Sequence, residues 1–180
     1  GLSVVGRKFY GVFPLRGKLL NVRDVSSQRI RDNVEVMAIL KILGLDLAKG
    51  HDQPLRYESI IIMADQDHDG SHIKGLILNM FDKLMPGLLT RPGFIQIFRT
   101  PIVKCTKAGN SKSFFSIPAF HQWKQGINVS RWKIKYYKGL GTSTSTEAKQ
   151  YFSNLGEHLQ TWTWHTDQSE QIDMVFNKKR

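Results

Sequence analysis

Ser59-Ile60-Ile61-Ile62-Met63-Ala64-Asp65-Gln66-Asp67-His68-Asp69-Gly70 decides the fold of this chain. Its first half is a β-branched run without polar alternation, the pattern of a short strand covered on both faces, as in a parallel sheet. Directly after it, Ile73, Leu76, Ile77, Met80, Phe81 and Leu84 recur at steps of three and four, which predicts a helix from about Ser71 to the Pro86-Gly87 break. Strand, acidic turn and helix make one α/β unit. In open α/β sheets ligands bind beyond the carboxyl ends of the strands, and the acidic turn lies at that position.

Asp65, Asp67 and Asp69 repeat at every second position. Three carboxylates this close repel one another, so they share protons or surround a cation. Hard oxygen ligands in this number suit magnesium or calcium and not zinc. A solvated acidic turn is the plain alternative. A calcium EF-hand matches the first six loop positions but fails at the twelfth, where Leu76 stands in place of a bidentate glutamate, and a strand precedes the loop instead of a helix.

Working outward, Tyr10–Leu15 reads as a further strand. Val25–Leu43 reads as one helix with Val34, Met37, Ala38 and Lys41 to Ile42 along one side, ending at Gly44. Downstream, residues 94–107, 112–117 and 132–138 read as strands, with a short helix over 118–124 between them. Thr144-Ser145-Thr146-Glu147 is a capping box that opens a helix carrying Ala148, Tyr151, Phe152 and Leu155. Residues 159–166 alternate as a strand with Trp162 and Trp164 on one face, and 167–176 read as a last helix. The fold class is α/β: a Rossmann-type parallel sheet flanked by helices over residues 1–107, then a mixed α+β extension over 108–180, with the boundary near 105–112.

The 180 residues are 41% hydrophobic and 11% aromatic, enough to fill a core, and 23% charged, which excludes wholesale disorder. No apolar run approaches the roughly 20 residues of a membrane helix, and residues 1–20 lack a signal-peptide core. The lone Cys105 cannot form an internal disulfide, which fits a reducing compartment, and it reads as a packing residue. A net charge of +11 points to a polyanionic partner.

Two more stretches carry suitable chemistry. In Phe13-Pro14-Leu15-Arg16-Gly17-Lys18-Leu19-Leu20-Asn21-Val22-Arg23, the cations and the Asn amide are groups that contact phosphates, although an exposed Pro-Leu-x-Gly turn would look the same. Lys135-Tyr136-Tyr137-Lys138-Gly139-Leu140-Gly141-Thr142-Ser143-Thr144 runs a basic aromatic strand through a glycine loop into the capped helix, whose free amides suit a phosphate or simply make a turn. His72 and Lys74 follow the acidic turn, where a cation beside a metal holds a phosphate or lies on a helix surface.

These three motifs, in this order, resemble the TOPRIM region of type IIA DNA topoisomerases. The matching stretches are Pro14 to Lys18 with Leu20 to Arg23, then Asp65 to Gly75, then Tyr136 to Thr144, and the likeness runs from Gly1-Leu2 to Lys178-Lys179. Gln66 between the first two aspartates, and Thr142-Ser143-Thr144, look like the eukaryotic enzyme and not bacterial gyrase.

The resemblance implies the metal-binding and DNA-contacting part of the cleavage and religation core of an ATP-dependent topoisomerase II, an isomerase. Asp65 and Asp67 would be the main magnesium ligands, with manganese or calcium as substitutes, and Asp69 a third carboxylate. Lys18 and Asn21 would contact DNA backbone near the scissile phosphate, Arg16 would line the same groove, and His72, Lys74 and Lys138 would join the DNA surface. Lys178 and Lys179 match a basic pair that touches DNA, or belong to a nuclear signal.

The family's glutamate-bearing first strand and its ATPase domain are expected before Gly1. The winged-helix domain with the tyrosine nucleophile is expected after Arg180. The implied partners are double-stranded DNA and a second subunit in a homodimer, with no membrane, and ATP only through the absent ATPase domain. The implied compartment is the nucleus or a mitochondrial DNA compartment. Ala64, where threonine is usual, and His68, where a second Gln is usual, depart from the pattern without removing an implied ligand. Two other classes fit the residues: a non-catalytic nucleic-acid-binding module with a structural acidic turn, and a phosphohydrolase using Asp65 as nucleophile.

Overall fold

The structure, a computed structural model, describes residues 1–50, 53–165 and 167–177. Its strands are β1 (Ile60–Ile62), β2 (Ile95–Phe98), β3 (Val103–Lys107), β4 (Asn110–Phe114), β5 (Lys133–Tyr136) and β6 (Leu159–Thr161). Its helices are α1 (Leu2–Val5), α2 (Ser27–Arg31), α3 (Val34–Leu43), α4 (His68–Leu84), α5 (Pro86–Leu89), α6 (Ile117–Gln125), α7 (Ser145–Ser153), α8 (Leu155–His158) and α9 (Gln168–Phe176).

β1 and β2 are parallel, with Ile60 opposite Ile95 and Ile62 opposite Ile97, so the link between them must cross over, and α4 with α5 forms it. β6 adds antiparallel to the outer side of β2. This α/β sheet is covered by the apolar face of α4: Met80 and Phe81 are fully buried, and Phe81 meets Phe94 edge-on at 5.2 Å. Val22, Val36 and Leu40 close the same core.

The second sheet runs β4-β3-β5, all antiparallel. Val103, Cys105, Phe114 and Phe120 of α6 form its small core, with Trp123 and Trp132 packed against it. Cys105 is wholly buried, and burial pushes its thiol up, as a packing role requires. The chain leaves the first sheet after Phe98 and returns at β6. At the crossing the Arg99 amide donates to the His158 carbonyl at 2.7 Å, and His158 Nδ1 meets the Arg99 carbonyl at 2.8 Å.

Leu155, expected on the capped helix, instead opens α8, because α7 ends at Ser153 with Asn154 as its C-cap. Four longer segments also differ from the sequence reading. Residues 25–43 form two helices, because the Asn33 side chain caps α3 by accepting from the Val36 amide at 2.9 Å. The buried stripe of α3 is Val36, Leu40 and Leu43, while Val34 is 78% exposed, so the expected face was out of phase. Residues 94–107 split into β2 and β3 at Thr100-Pro101, and the two halves join different sheets; a proline breaks a ladder because it has no amide to donate. Residues 10–15, expected as a strand, form none: they join neither sheet among the described residues. Past Thr161, only the Trp162 amide continues β6, donating to the Ile95 carbonyl at 2.9 Å; Trp162 and Trp164 both pack on the first core as the alternation predicts.

The capping box at α7 is present, and its glutamate does more than cap. Glu147 accepts from the Thr144 amide at 2.8 Å, from Lys135 at 3.0 Å and from the Tyr137 hydroxyl, tying β5 to α7. Burial alone would raise the Glu147 carboxyl, but the bonds from Tyr137, Thr144 and Lys135 outweigh it and hold it at about 2. Burial and the bond to Glu147 together push the Tyr137 hydroxyl up. A carboxylate depressed below its ordinary 4.5 contributes stability that is complete above about pH 4.5 and is lost as pH falls toward 2. Glu147→Gln is therefore expected to cost about 1–2 kcal/mol at pH 7 and to flatten thermal stability against pH between those values. Thermal melts of both proteins from pH 2 to 7 measure this, and an unchanged acid limb would refute the assignment.

Candidate functional site

The site is built at the carboxyl end of β1. Asp67 is the N-cap of α4 and accepts from the Gly70 amide at 2.8 Å, so the helix begins at His68, three residues before the apolar periodicity predicts. A Cβ at Gly70 would lie 1.9 Å from the Asp65 carbonyl oxygen; the first turn of α4 therefore rests on Asp65 backbone where no other residue fits. From the other side, a Cβ at Gly139 would lie 2.6 Å from Asp65 Oδ1, and the Leu140 amide donates to that oxygen at 2.7 Å. Asp65 is thus held between two glycines, Gly70 of α4 against its backbone and Gly139 of the loop after β5 against its half-buried carboxylate.

The Pro14-to-Arg23 stretch reaches the same turn through Lys18, whose ammonium pairs with Asp69 at 2.9 Å. Lys18 holds the Asp69 carboxyl below its usual range, first by its hydrogen bond and then by its charge. Both side chains are exposed, so solvent screens the pair and it positions more than it stabilises. Burial lowers the Lys74 ammonium, opposed by the charge of Asp67. His72 is exposed and stacks on Phe176 at 6.0 Å, bringing α9 against the start of α4. Arg16 and Lys138 are exposed at either side of the turn sequence, Arg16 next to Gly17 with its φ of 134°. Lys178 and Lys179 lie outside the described residues.

Asn21 and Arg23 sit elsewhere in chemistry, though close in sequence. Asn21 donates to the Phe176 carbonyl at 2.7 Å and accepts from Asn79 at 3.0 Å. Arg23 donates to Asn79 at 2.7 Å, to Asp173 at 2.9 Å and to Asp82. Arg23 was expected beside the other phosphate-contacting cations; instead its guanidinium is matched inside the fold by two carboxylates, with only 12% of the side chain exposed. The sequence signal for this network is Asn79, a fully buried amide within the apolar stripe of α4.

Asp65, Asp67 and Asp69 share one turn but face three different partners. Among the described residues, no three His, Cys, Asp or Glu side chains stand close enough together to hold a metal ion by themselves. The turn therefore presents carboxylate oxygens without a closed cage, with Lys18 paired to Asp69 and Lys74 within reach of the Asp67 charge.

Comparison with known proteins agrees with this geometry. The family described as Toprim domain matches residues 2–100, and the one described as C-terminal associated domain of TOPRIM matches residues 98–180. The chain is 54% identical to DNA topoisomerase 2 of Plasmodium falciparum, 50% identical to that of Pisum sativum and 51% identical to the mitochondrial DNA topoisomerase 2 of Dictyostelium discoideum, over at least 99% of its length. It spans 13–14% of the length of these relatives. A crystal structure of the DNA-binding, cleavage and re-ligation domain of Plasmodium falciparum topoisomerase II superposes with a TM-score of 0.93 at 53% identity, covering 100% of this chain and 25% of that one. The chain belongs to the Toprim family, and along its whole length it is similar to part of eukaryotic DNA topoisomerase 2.

Proposed function

We propose that this chain supplies the divalent-metal-binding and duplex-contacting part of the cleavage and religation core of an ATP-dependent type II DNA topoisomerase, which changes DNA topology through transient double-strand breaks. The observation that carries the reading is the convergence of three separate motifs on the Asp65–Asp69 turn: Lys18 on Asp69, Gly139 and Leu140 on Asp65, and Gly70 beneath it.

The donor set fits magnesium better than a fully caged ion. Magnesium keeps several waters and is commonly held by one or two carboxylates plus phosphate oxygens, which is what a turn with exposed Asp67 and Asp69 and half-buried Asp65 offers. Asp65 and Asp67 would be the principal ligands, Asp69 a further carboxylate, with manganese and calcium as substitutes. When bound, the ion neutralises charge on a transferring phosphate and its neighbouring oxygens. The chain's own residues orient the substrate: Leu140 fixes the Asp65 carboxylate, Lys18 steers Asp69, and Arg16, Lys18, Lys74 and Lys138, with His72, supply positive charge for the DNA backbone. Asn21 would act on DNA only by exchanging its internal partners. Lys178 and Lys179 would also contact DNA in this reading.

The nucleophile is assigned to a tyrosine of the winged-helix domain, outside these residues. Tyr137 supports that assignment, because its hydroxyl is bound to Glu147 and its proton is held more tightly than usual. The complete protein would work as a homodimer on nuclear or mitochondrial DNA. A second reading, a nucleic-acid-binding module with a structural acidic turn, draws on one fact: each of the three carboxylates already has a partner within the fold.

Calorimetric magnesium titration separates the two. Asp67→Asn keeps a good N-cap and Asp65→Asn keeps an acceptor for Leu140, so both are expected to fold. Each should weaken magnesium binding by at least roughly tenfold, the loss that even residues supporting metal ligands produce; unchanged affinity would favour the structural reading. In duplex binding followed by fluorescence anisotropy, log K should fall linearly with log salt, by about 0.9 per phosphate contact, and Lys18→Gln should reduce that slope by about one contact. A slope near zero would remove DNA from the proposal.

A further inference from the structure

Residues 83–146 contain eleven Lys or Arg and not one Asp or Glu, while the other fifteen cations of the chain balance its fifteen carboxylates. The whole net charge of +11 therefore lies in this one segment, which includes all of the second sheet and α6. Strand register sorts part of it onto one face. Val103, Cys105 and Phe114 point at Phe120 and Trp123 of α6. Alternation puts Lys104 and Thr106 of β3 on the opposite face, with their partners Ser113 and Ser111 of β4 and Lys135 and Lys133 of β5.

Lys104 stands directly opposite Lys135, a like-charge pair that weakens an antiparallel ladder. Glu147 relieves Lys135. Among the described residues no carboxylate pairs with Lys104 or Lys133. A sheet face that keeps Lys104 and Lys133 without a carboxylate partner among the described residues, with exposed Ser111 and Ser113 on the edge strand β4 beside Lys104 and Thr106, is arranged for an external polyanion.

We propose that this face, through Lys104 and Lys133, binds the phosphate backbone of double-stranded nucleic acid as a surface additional to the acidic turn. The inference rests on the DNA-binding reading given above and adds a contact surface to it. Serine hydroxyls and lysine ammonium groups on a flat sheet contact phosphate oxygens without reading bases, so binding here is independent of sequence.

The test is duplex binding to the 180-residue chain across a salt series, for the parent, Lys104→Gln/Lys133→Gln, Lys104→Arg/Lys133→Arg and Lys18→Gln/Lys74→Gln, with melting temperatures confirming that each is folded. The expected result is a drop in salt slope of about 1.8 for the glutamine pair at the sheet, restoration by the arginine pair, and an independent drop for the pair at the turn. An unchanged slope for the folded sheet variant, beside a reduced slope for the turn variant, overturns this inference and leaves the DNA-binding reading standing. No binding by the parent at low salt overturns both. Polyglutamate binding as tightly as duplex, and losing affinity in the same sheet variant, overturns nucleic acid as the occupant.

Discussion

A single carboxylate, that of Asp65, ties the first sheet to the loop that follows the second. It follows β1 and receives the Leu140 amide from the loop after β5, while Gly70 packs on the Asp65 backbone where a Cβ would lie 1.9 Å from the carbonyl oxygen and Gly139 lies against the carboxylate itself. A hydrogen bond to an ionised acceptor is stronger than a neutral one, and here it joins residues 75 apart in sequence. The turn between β1 and α4, the start of α4 and the glycine loop are therefore one unit. Moving any of them changes the direction in which Asp65 presents its oxygens.

The second constraint is the Arg23 cluster. Two carboxylates and a buried amide surround one guanidinium, and Asn21 extends the cluster to the end of α9. Removing one member of such a buried network leaves charge unmatched, which costs far more than the network contributes as a whole. The cluster fixes α4 against α9, through Asn79 and Asp82 on the one and Asp173 on the other.

Much of this was legible in sequence where one strong periodicity ruled. The run of isoleucines, the stripe of α4, the Thr144–Glu147 box and the α/β class all follow from local pattern. The reading failed where a side chain outweighed periodicity. Asn33 ended one helix and started another, and Asp67 pulled α4 three residues toward the strand. It failed too where the partner was distant: an Arg between Val22 and Asp24 looks the same in sequence whether it meets phosphate or Asp82 and Asp173. The assembly of the turn was half legible, since order along the chain named the three motifs, while the clasp of Gly139 over Asp65 exists only in three dimensions. The absence of any acid between Asp82 and Glu147 was available to a charge count taken by segment instead of over the whole chain.

The reciprocal bonds between Arg99 and His158 make the exit and re-entry of the second sheet a narrow neck. Everything from Arg99 to His158 is, topologically, an excursion from the edge of the first sheet. An excursion clamped at its neck closes its loop locally, so changes of length at its far turns, such as Ala108-Gly109, add little entropic cost to the first sheet. The excursion is also held by the Leu140 amide on Asp65 and by Phe152 of α7, which stacks on Phe98 of β2 at 5.3 Å. Strain in the second sheet is therefore shared among these three attachments, of which the Asp65 carboxylate is only one.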